Sequence, residues 1–101
     1  MRREKEDAKF IENEFSFGLN LIKGENNTIV VDGLWAGGPA DKAGIKVGDE
    51  IIECNSIPLN GDDIFKARQL IKNEDVKEII LVVKDKEGQR EVSLRKEMLL
   101  D

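Results

Sequence analysis

Histidine is absent from the 101 residues of this chain, and cysteine occurs once, at Cys54. Without histidine the chain cannot itself supply a Ser-His-Asp or Cys-His catalytic site, or a zinc site that needs an imidazole ligand. A single cysteine permits no internal disulfide and carries no information about the redox compartment. The sequence therefore predicts no metal, no cofactor and no nucleophile–base pair.

Long apolar runs and an excess of positive charge are also missing. The longest apolar stretch, residues 79–83, is far too short to span a bilayer. Residues 1–7 are almost wholly charged and do not resemble a secretion signal. Because 21 acidic residues outnumber 16 basic ones, for a net charge of −5, the composition argues against nucleic acid or an anionic membrane surface as a partner.

The hydrophobic pattern predicts one domain built from short strands and two helices. We place this domain at residues 9–96, between a charged tail at 1–8 and a short tail at 97–101. A bend is expected at Asp32-Gly33, and residues 61–63 are expected to cap the second helix. Strands are expected at 9–15, 19–22, 28–31, 50–54, 57–59, 78–84 and 90–94, and helices at 40–43 and 64–72.

The segment that begins at Phe15 carries the most informative pattern. Phe17, Leu19 and Leu21 occupy every second position, which is typical of a strand with one face against apolar material. A strand glycine such as Gly18 often marks a close approach of another backbone. The N–H groups around it can form a nest that binds an anion without a charged side chain.

The stretch Ser16-Phe17-Gly18-Leu19 is similar to the Gly-Leu-Gly-Phe carboxylate-binding loop of PDZ domains. Residues 36–44 (Ala-Gly-Gly-Pro-Ala-Asp-Lys-Ala-Gly) and 47–55 (Val-Gly-Asp-Glu-Ile-Ile-Glu-Cys-Asn) resemble two further blocks of that family. The resemblance covers about residues 9–96. It implies an α+β, mostly β fold: a partly open antiparallel β-barrel of five or six strands, capped by two helices.

The resemblance also implies a peptide-binding site. The backbone amides of Ser16, Phe17, Gly18 and Leu19 would hold a peptide's terminal carboxylate. The pocket for the last ligand side chain would be lined by Phe17, Leu19 and Leu21 from the strand and by Ile71 from the second helix. Since these side chains are all apolar, we expect a ligand that ends in a hydrophobic residue.

Two helix residues bear on ligand choice, and two departures from the family weaken the carboxylate site. Ile64 stands where many PDZ domains carry histidine and favours a hydrophobic ligand residue two places before the end. Arg68 is expected to contact the ligand backbone or an acidic ligand side chain, or simply to form solvated helix surface. Ser16 replaces the glycine that opens the family's loop. The approach Glu12-Asn13-Glu14 is acidic where a basic residue is common.

Two further positions follow from the same alignment of motifs. Cys54 stands where PDZ domains carry a core aliphatic residue, so we expect a buried small hydrophobe and not a nucleophile. Asn55-Ser56 takes the place of the family's Asn-Gly turn. Serine tolerates a positive φ less well than glycine, so this hairpin is expected to be strained or of another turn type.

Three functions compete at this point. The first is a module that captures hydrophobic carboxyl-terminal peptides or unfolded protein termini by β-strand addition. It would regulate a larger protein, such as a peptidase, or recruit substrate for it. If the larger protein is a protease, we expect it in the bacterial cell envelope or periplasm. The second is a docking domain for a neighbouring domain or subunit, which the acidic approach to the loop favours. The third, an enzyme, lacks a nucleophile–base pair, and Val30-Val31-Asp32-Gly33 lacks the Thr or Ser of an aspartic peptidase motif.

Overall fold

The computed structural model describes residues 15–99 and shows an open, mostly antiparallel sheet flanked by two helices. The expected mostly-β architecture with two helices is confirmed. A single 3-10 turn, Gly61–Asp63, precedes the second helix. The elements are β1 Phe15–Ser16, β2 Leu19–Gly24, β3 Thr28–Leu34, α1 Pro39–Lys42, β4 Glu50–Cys54, β5 Ile57–Pro58, α2 Ile64–Lys72, β6 Glu78–Asp85, β7 Gly88–Arg95 and β8 Glu97–Met98.

The order of strands leaves β2 at one edge of the main sheet. The sheet runs β2-β3-β4-β6-β7, with β5 paired to β4, while β1 and β8 form a separate two-stranded ribbon. Among the described residues β2 pairs only with β3, and α2 packs against β2. We call the surface between the outer edge of β2 and helix α2 the groove.

The core follows from strict alternation along the strands. In β6 the side chains of Ile79, Leu81 and Val83 are buried, while Glu78 and Lys84 are exposed. Burying each such aliphatic side chain contributes about 1.5–3 kcal/mol. Other fully buried large side chains are Phe17, Leu21, Ile29, Val31, Ile45 and Ile51.

The bend expected at Asp32-Gly33 is wrong. Strand β3 continues to Leu34, and the pairing partner shifts from Gly33 for Asn20 to Val31 for Leu21, so one residue of β3 is extra. Such a β-bulge accommodates the surplus residue inside the strand instead of ending it.

The expected cap and inward face of α2 also need correction. Asn60 caps the 3-10 turn in a capping box with Asp63, whose own side chain does not cap the helix. The helical spacing also predicts that Ala67, Ile71 and Phe65 face inward. Ala67 and Ile71 are buried, but Phe65 is 74% exposed. Phe65 directly follows Ile64, and its side chain lies outside the face of α2 that the sheet covers.

Residues at both ends of the described chain meet. The expected first strand at 9–15 falls outside the described residues except for Phe15, which belongs to β1. Phe15 pairs with Met98 and Ser16 pairs with Glu97, so part of the segment assigned to a tail forms β8. No helix within residues 15–99 is long and apolar enough to cross a membrane.

The turn between β4 and β5 is left-handed at both central residues, with φ of 52° at Asn55 and 71° at Ser56. Serine in this region is strained, whereas glycine is not. We expect Ser56→Gly to raise the free energy of unfolding by about 0.5–1 kcal/mol, measured by urea denaturation. The matched variant Ser93→Gly, in the interior of β7, should lower it by about 0.5–1 kcal/mol. A Ser56→Gly variant that loses as much as Ser93→Gly would contradict the prediction.

Candidate peptide-binding site

The carbonyl groups of the loop between β1 and β2 accept hydrogen bonds from residues elsewhere in the domain. The carbonyl oxygen of Phe17 accepts a hydrogen bond from the N–H of Ala40 at 3.1 Å, and that of Gly18 accepts one from the N–H of Trp35 at 2.9 Å. In a trans peptide the C=O and the following N–H point in opposite directions. The N–H groups of Gly18 and Leu19 therefore point away from these partners.

One of these N–H groups already has an acceptor. The N–H of Gly18 donates to Ser16 Oγ at 3.1 Å. The φ of +76° at Gly18 turns the chain sharply after this N–H. The serine that replaces the family's loop-opening glycine thus places a hydroxyl oxygen where an anion would bind.

The outer edge of β2 carries the backbone N–H and C=O of Leu21, a residue that is only 1% exposed. Leu21 lies opposite Val31. Val31 uses both of its backbone groups on its other side, since its N–H donates to Asp49 O at 2.9 Å and its carbonyl accepts from Gly48 N at 2.8 Å. Leu21 and Val31 are therefore a non-hydrogen-bonded pair, and the N–H and C=O of Leu21 face away from β3. Arg68 Nε on α2 donates to Leu21 O at 3.1 Å, consistent with this direction.

The apolar residues predicted to line the pocket all belong to the buried core cluster of the domain. Ile64 is partly buried against that cluster, one helical turn before Arg68. The structure thus places all the predicted site residues at the loop or along the groove. The cluster includes Phe17, Leu19, Leu21 and Ile71.

A buried cation lies beneath the loop. Lys96 is only 3% exposed, its Nζ donates to Asn73 O at 2.8 Å, and it lies 5.3 Å from the centroid of the Phe17 ring. Burial lowers the pKa of Lys96, the positive charge of Lys77 lowers it further, and Glu74 opposes the shift. The ammonium is held by a carbonyl and an aromatic face.

Sequence reasoning missed Lys96. It follows Val92 and Leu94 at the same period of two, and those two residues are buried. This spacing could have indicated that Lys96 is buried as well, but a charged residue at the end of a strand is usually solvated. Its burial depends on the ring of Phe17, which is distant in sequence.

Arg90 contacts residues next to the turn at Gly48 and Asp49, whose backbone groups bind Val31 of β3. Its guanidinium contacts Asp85 Oδ2 at 2.8 Å and Gly44 O at 2.9 Å, and lies 3.9 Å from Asp49 Oδ2. The N–H of Glu87 is the main cause of the lowered pKa of Asp85, and Arg90 lowers it further. These contacts join β7 to the residues that engage Val31, and so support the edge strand indirectly.

The alternatives of metal binding and thiol chemistry find no support in residues 15–99. No group of three potential metal ligands occurs there. Cys54 is 2% exposed, and burial raises the pKa of its thiol, which disfavours the reactive thiolate. The prediction that Cys54 is a buried small hydrophobe is confirmed.

A family profile described as PDZ domain matches residues 21–85, which is more than half of the chain. The chain belongs to the PDZ domain family. PDZ domains are protein-interaction modules that bind peptides, and the resemblance read from the sequence is confirmed.

Curated relatives of this PDZ domain are much longer than the matched segments. It is 48% identical over 44 residues to the tight junction protein ZO-3 of Mus musculus, a match that covers 44% of this chain and 5% of ZO-3. It is 29% identical over 59 residues to syntenin-2 of Mus musculus, covering 58% of this chain and 20% of syntenin-2. The chain therefore corresponds to a small part of each relative.

Solved structures confirm the PDZ fold and include PDZ domains of proteases. The HtrA3 PDZ domain bound to a phage-derived ligand, FGRWV, has a TM-score of 0.67 and 19% identity, covering 80% of this chain and 83% of that one. The serine endoprotease from Yersinia pestis has a TM-score of 0.57 and 27% identity, covering 96% and 34%. The photosystem II D1 C-terminal processing protease has a TM-score of 0.69 and 21% identity, covering 85% and 24%.

Proposed function

We propose that this PDZ domain captures the hydrophobic carboxyl termini of peptides or unfolded proteins by adding them as a strand to β2. The observation that carries the proposal is the direction of the Leu21 N–H and C=O, which face α2 and not β3. Among residues 15–99 this edge of β2 has no partner strand, and such an edge is what an added strand pairs with.

The loop before β2 suits the end of such a strand. The N–H groups of Gly18 and Leu19 point away from the partners of the loop carbonyls, and a ligand carboxylate would replace the Ser16 hydroxyl oxygen on the first of them. Charge-assisted hydrogen bonds are stronger than neutral ones, which favours the exchange. Among the structural relatives, the HtrA3 PDZ domain is bound to the ligand FGRWV and the HtrA-type protease AlgW to a decapeptide.

The terminal ligand side chain would enter the apolar end of the groove. Residues paired across two strands place their side chains on the same face, so the residue opposite Leu19 would meet the cluster of Leu19, Leu21 and Ile71. Its burial would contribute about 1.5–3 kcal/mol, so micromolar affinity is expected once the cost of association is subtracted.

We propose further that the domain is non-catalytic and recruits substrate or regulates a larger protein, such as a peptidase. The buried thiol of Cys54 and the lack of histidine support the first part. The fold's likeness to PDZ domains of proteases supports the second.

The carboxylate site is tested by amidation. An acetylated decapeptide ending in Leu-Ala-Leu is expected to lose about 1–3 kcal/mol of binding free energy when its carboxyl end is amidated, because charge-assisted bonds to the loop amides vanish. Calorimetric titration gives the affinities, and amide shifts at Phe17, Gly18 and Leu19 locate the site. The matched control is removal of the acetyl group at the other end of the peptide, which should change the binding free energy little. Equal binding of free acid and amide, or shifts that avoid the loop, would favour the docking-domain alternative.

A further inference from the structure

Strand β6 has apolar side chains on both of its faces. Ile79, Leu81 and Val83 are buried in the core, whereas Ile80 is 44% exposed and Val82 is partly buried. Because side chains alternate across a strand, Ile80 and Val82 lie on the face of the sheet opposite to the core. Since β6 pairs with β4 on one side and β7 on the other, these two residues lie in the middle of that outer face.

Val82 lies between two glutamates on the outer face. Its register partners are Glu53 of β4 and Glu91 of β7. Residues directly opposite each other in antiparallel strands share a face of the sheet, so the three form one row. Neighbouring strands are about 4.8 Å apart, which separates the Cα atoms of Glu53 and Glu91 by about 10 Å.

The two glutamates that flank Val82 differ from the other acids of this face. Glu78 forms an ion pair with Arg95, and Glu50 lies opposite Lys84 in the register. The two flanking glutamates form no ion pair with any residue between 15 and 99. The row therefore has an apolar centre and a negative charge at each end, which complements a ligand with the opposite charges at the same spacing.

The spacing of the two carboxylates favours a helical ligand. An α-helix rises about 1.5 Å per residue, so its residues i and i+7 lie on one side of the helix about 10.5 Å apart. The residues i+3 and i+4 of such a helix lie between them on the same side. An extended strand presents residues of one face at about 7 and 13 Å, and neither distance matches the row.

We propose that the outer face of β4, β6 and β7 docks a cationic amphipathic helix of a partner protein. Basic residues at i and i+7 of that helix pair with Glu53 and Glu91, and apolar residues at i+3 and i+4 pack on Val82 and Ile80. This surface is separate from the groove at β2, so the inference does not rest on the proposed function.

Three helical peptides of about 16 residues, built on alanine and glutamine, test the match. The first has arginine at i and i+7 and leucine at i+3 and i+4. The second has the same composition with the second arginine at i+5, which turns it about 140° around the helix. The third is the first with glutamine in place of both leucines. All are acetylated and carry a carboxyl-terminal amide, so they offer no terminal carboxylate to the loop before β2.

Each peptide is titrated into the isotope-labelled full chain, and affinity is read from amide shifts. The first peptide should bind about fivefold more tightly than the second, because two exposed ion pairs are gained. The third should bind about tenfold more weakly than the first, because the apolar contact is lost. The shifts should fall on Glu53, Ile80, Val82 and Glu91, and not on Gly18.

A pair of double variants separates this site from general charge attraction. Glu53→Gln with Glu91→Gln should lower the affinity for the first peptide to that for the second. Glu25→Gln with Glu87→Gln is the matched control, because it removes two exposed carboxylates from turns and changes the net charge equally. The control should keep the fivefold ratio between the two peptides.

Several results would overturn the inference. Equal affinity for the first two peptides, or an equal loss in both double variants, would show that only the net charge of the chain matters. Shifts confined to the groove, or no shifts at millimolar peptide, would show that the outer face docks no such helix. If the Glu53→Gln and Glu91→Gln variant does not fold, the ratio of the first two peptides on the wild-type chain and the positions of the shifts decide.

Discussion

Replacing Phe17 with alanine is expected to lower the free energy of unfolding by about 3–5 kcal/mol. Phe17 is fully buried in the core cluster, and its ring also receives the Lys96 ammonium at 5.3 Å. The substitution leaves a cavity and removes the aromatic face from a buried cation. Because domains of this size are stable by only about 5–15 kcal/mol, the loss is a large fraction of the total stability.

The matched control for this variant is Phe65→Ala. The Phe65 side chain is 74% exposed on α2, so its loss should change the free energy of unfolding by less than about 0.5 kcal/mol. Guanidinium denaturation of both variants measures the difference. Similar losses in the two variants would contradict the placement of Phe17 in the core.

Replacing Gly18 with valine is expected to cost about 2–4 kcal/mol of unfolding free energy and to abolish peptide binding. The φ of +76° is strained for any L side chain, and most of all for a β-branched one. A Cβ there would lie 3.4–3.5 Å from Pro39 Cδ, Gly38 Cα and Trp35 Cβ, which is already van der Waals contact, so the γ-methyl groups of valine would add bulk to a filled site. The loop must move, and its N–H groups would lose their common direction.

Gly37 provides the control, since its φ is +78° and nothing lies within 4 Å of a Cβ built there. Gly37→Val should cost only the backbone strain, about 1–2 kcal/mol, and leave peptide affinity unchanged. Denaturation and titration of both variants with the free-acid Leu-Ala-Leu peptide decide the matter. Peptide affinity that is unaltered in Gly18→Val would place the carboxylate site elsewhere.

Local patterns sufficed for several elements of the fold. Strand Glu50–Cys54 and helix Ile64–Lys72 have the boundaries that the sequence predicted. Their alternation, helical periodicity and neighbouring turn residues lie within a few positions, so no distant contact was needed to find them. The motif blocks of the resemblance supplied the arrangement of these elements in space.

The features that sequence reasoning missed depend on residues far apart in the chain. The contact from Arg68 to Leu21 joins residues 47 positions apart, and Lys96 is buried by Phe17 and Asn73. The bulge in β3 depends on how Leu21 aligns with Val31. Pairing register and burial of single charges are decided by the assembled fold, where packing overrides local preference.

The ribbon of β1 and β8 gives the domain a mechanical property. Phe15 and Met98 are partners, so the chain enters and leaves the described domain at neighbouring points. A force that separates the two flanking segments would open this short antiparallel ribbon as a zipper, one pair at a time. The second pair to part includes Ser16, whose hydroxyl contacts the N–H of Gly18. Tension on the flanking chain would thus reach the loop between β1 and β2 before the six-stranded sheet is loaded.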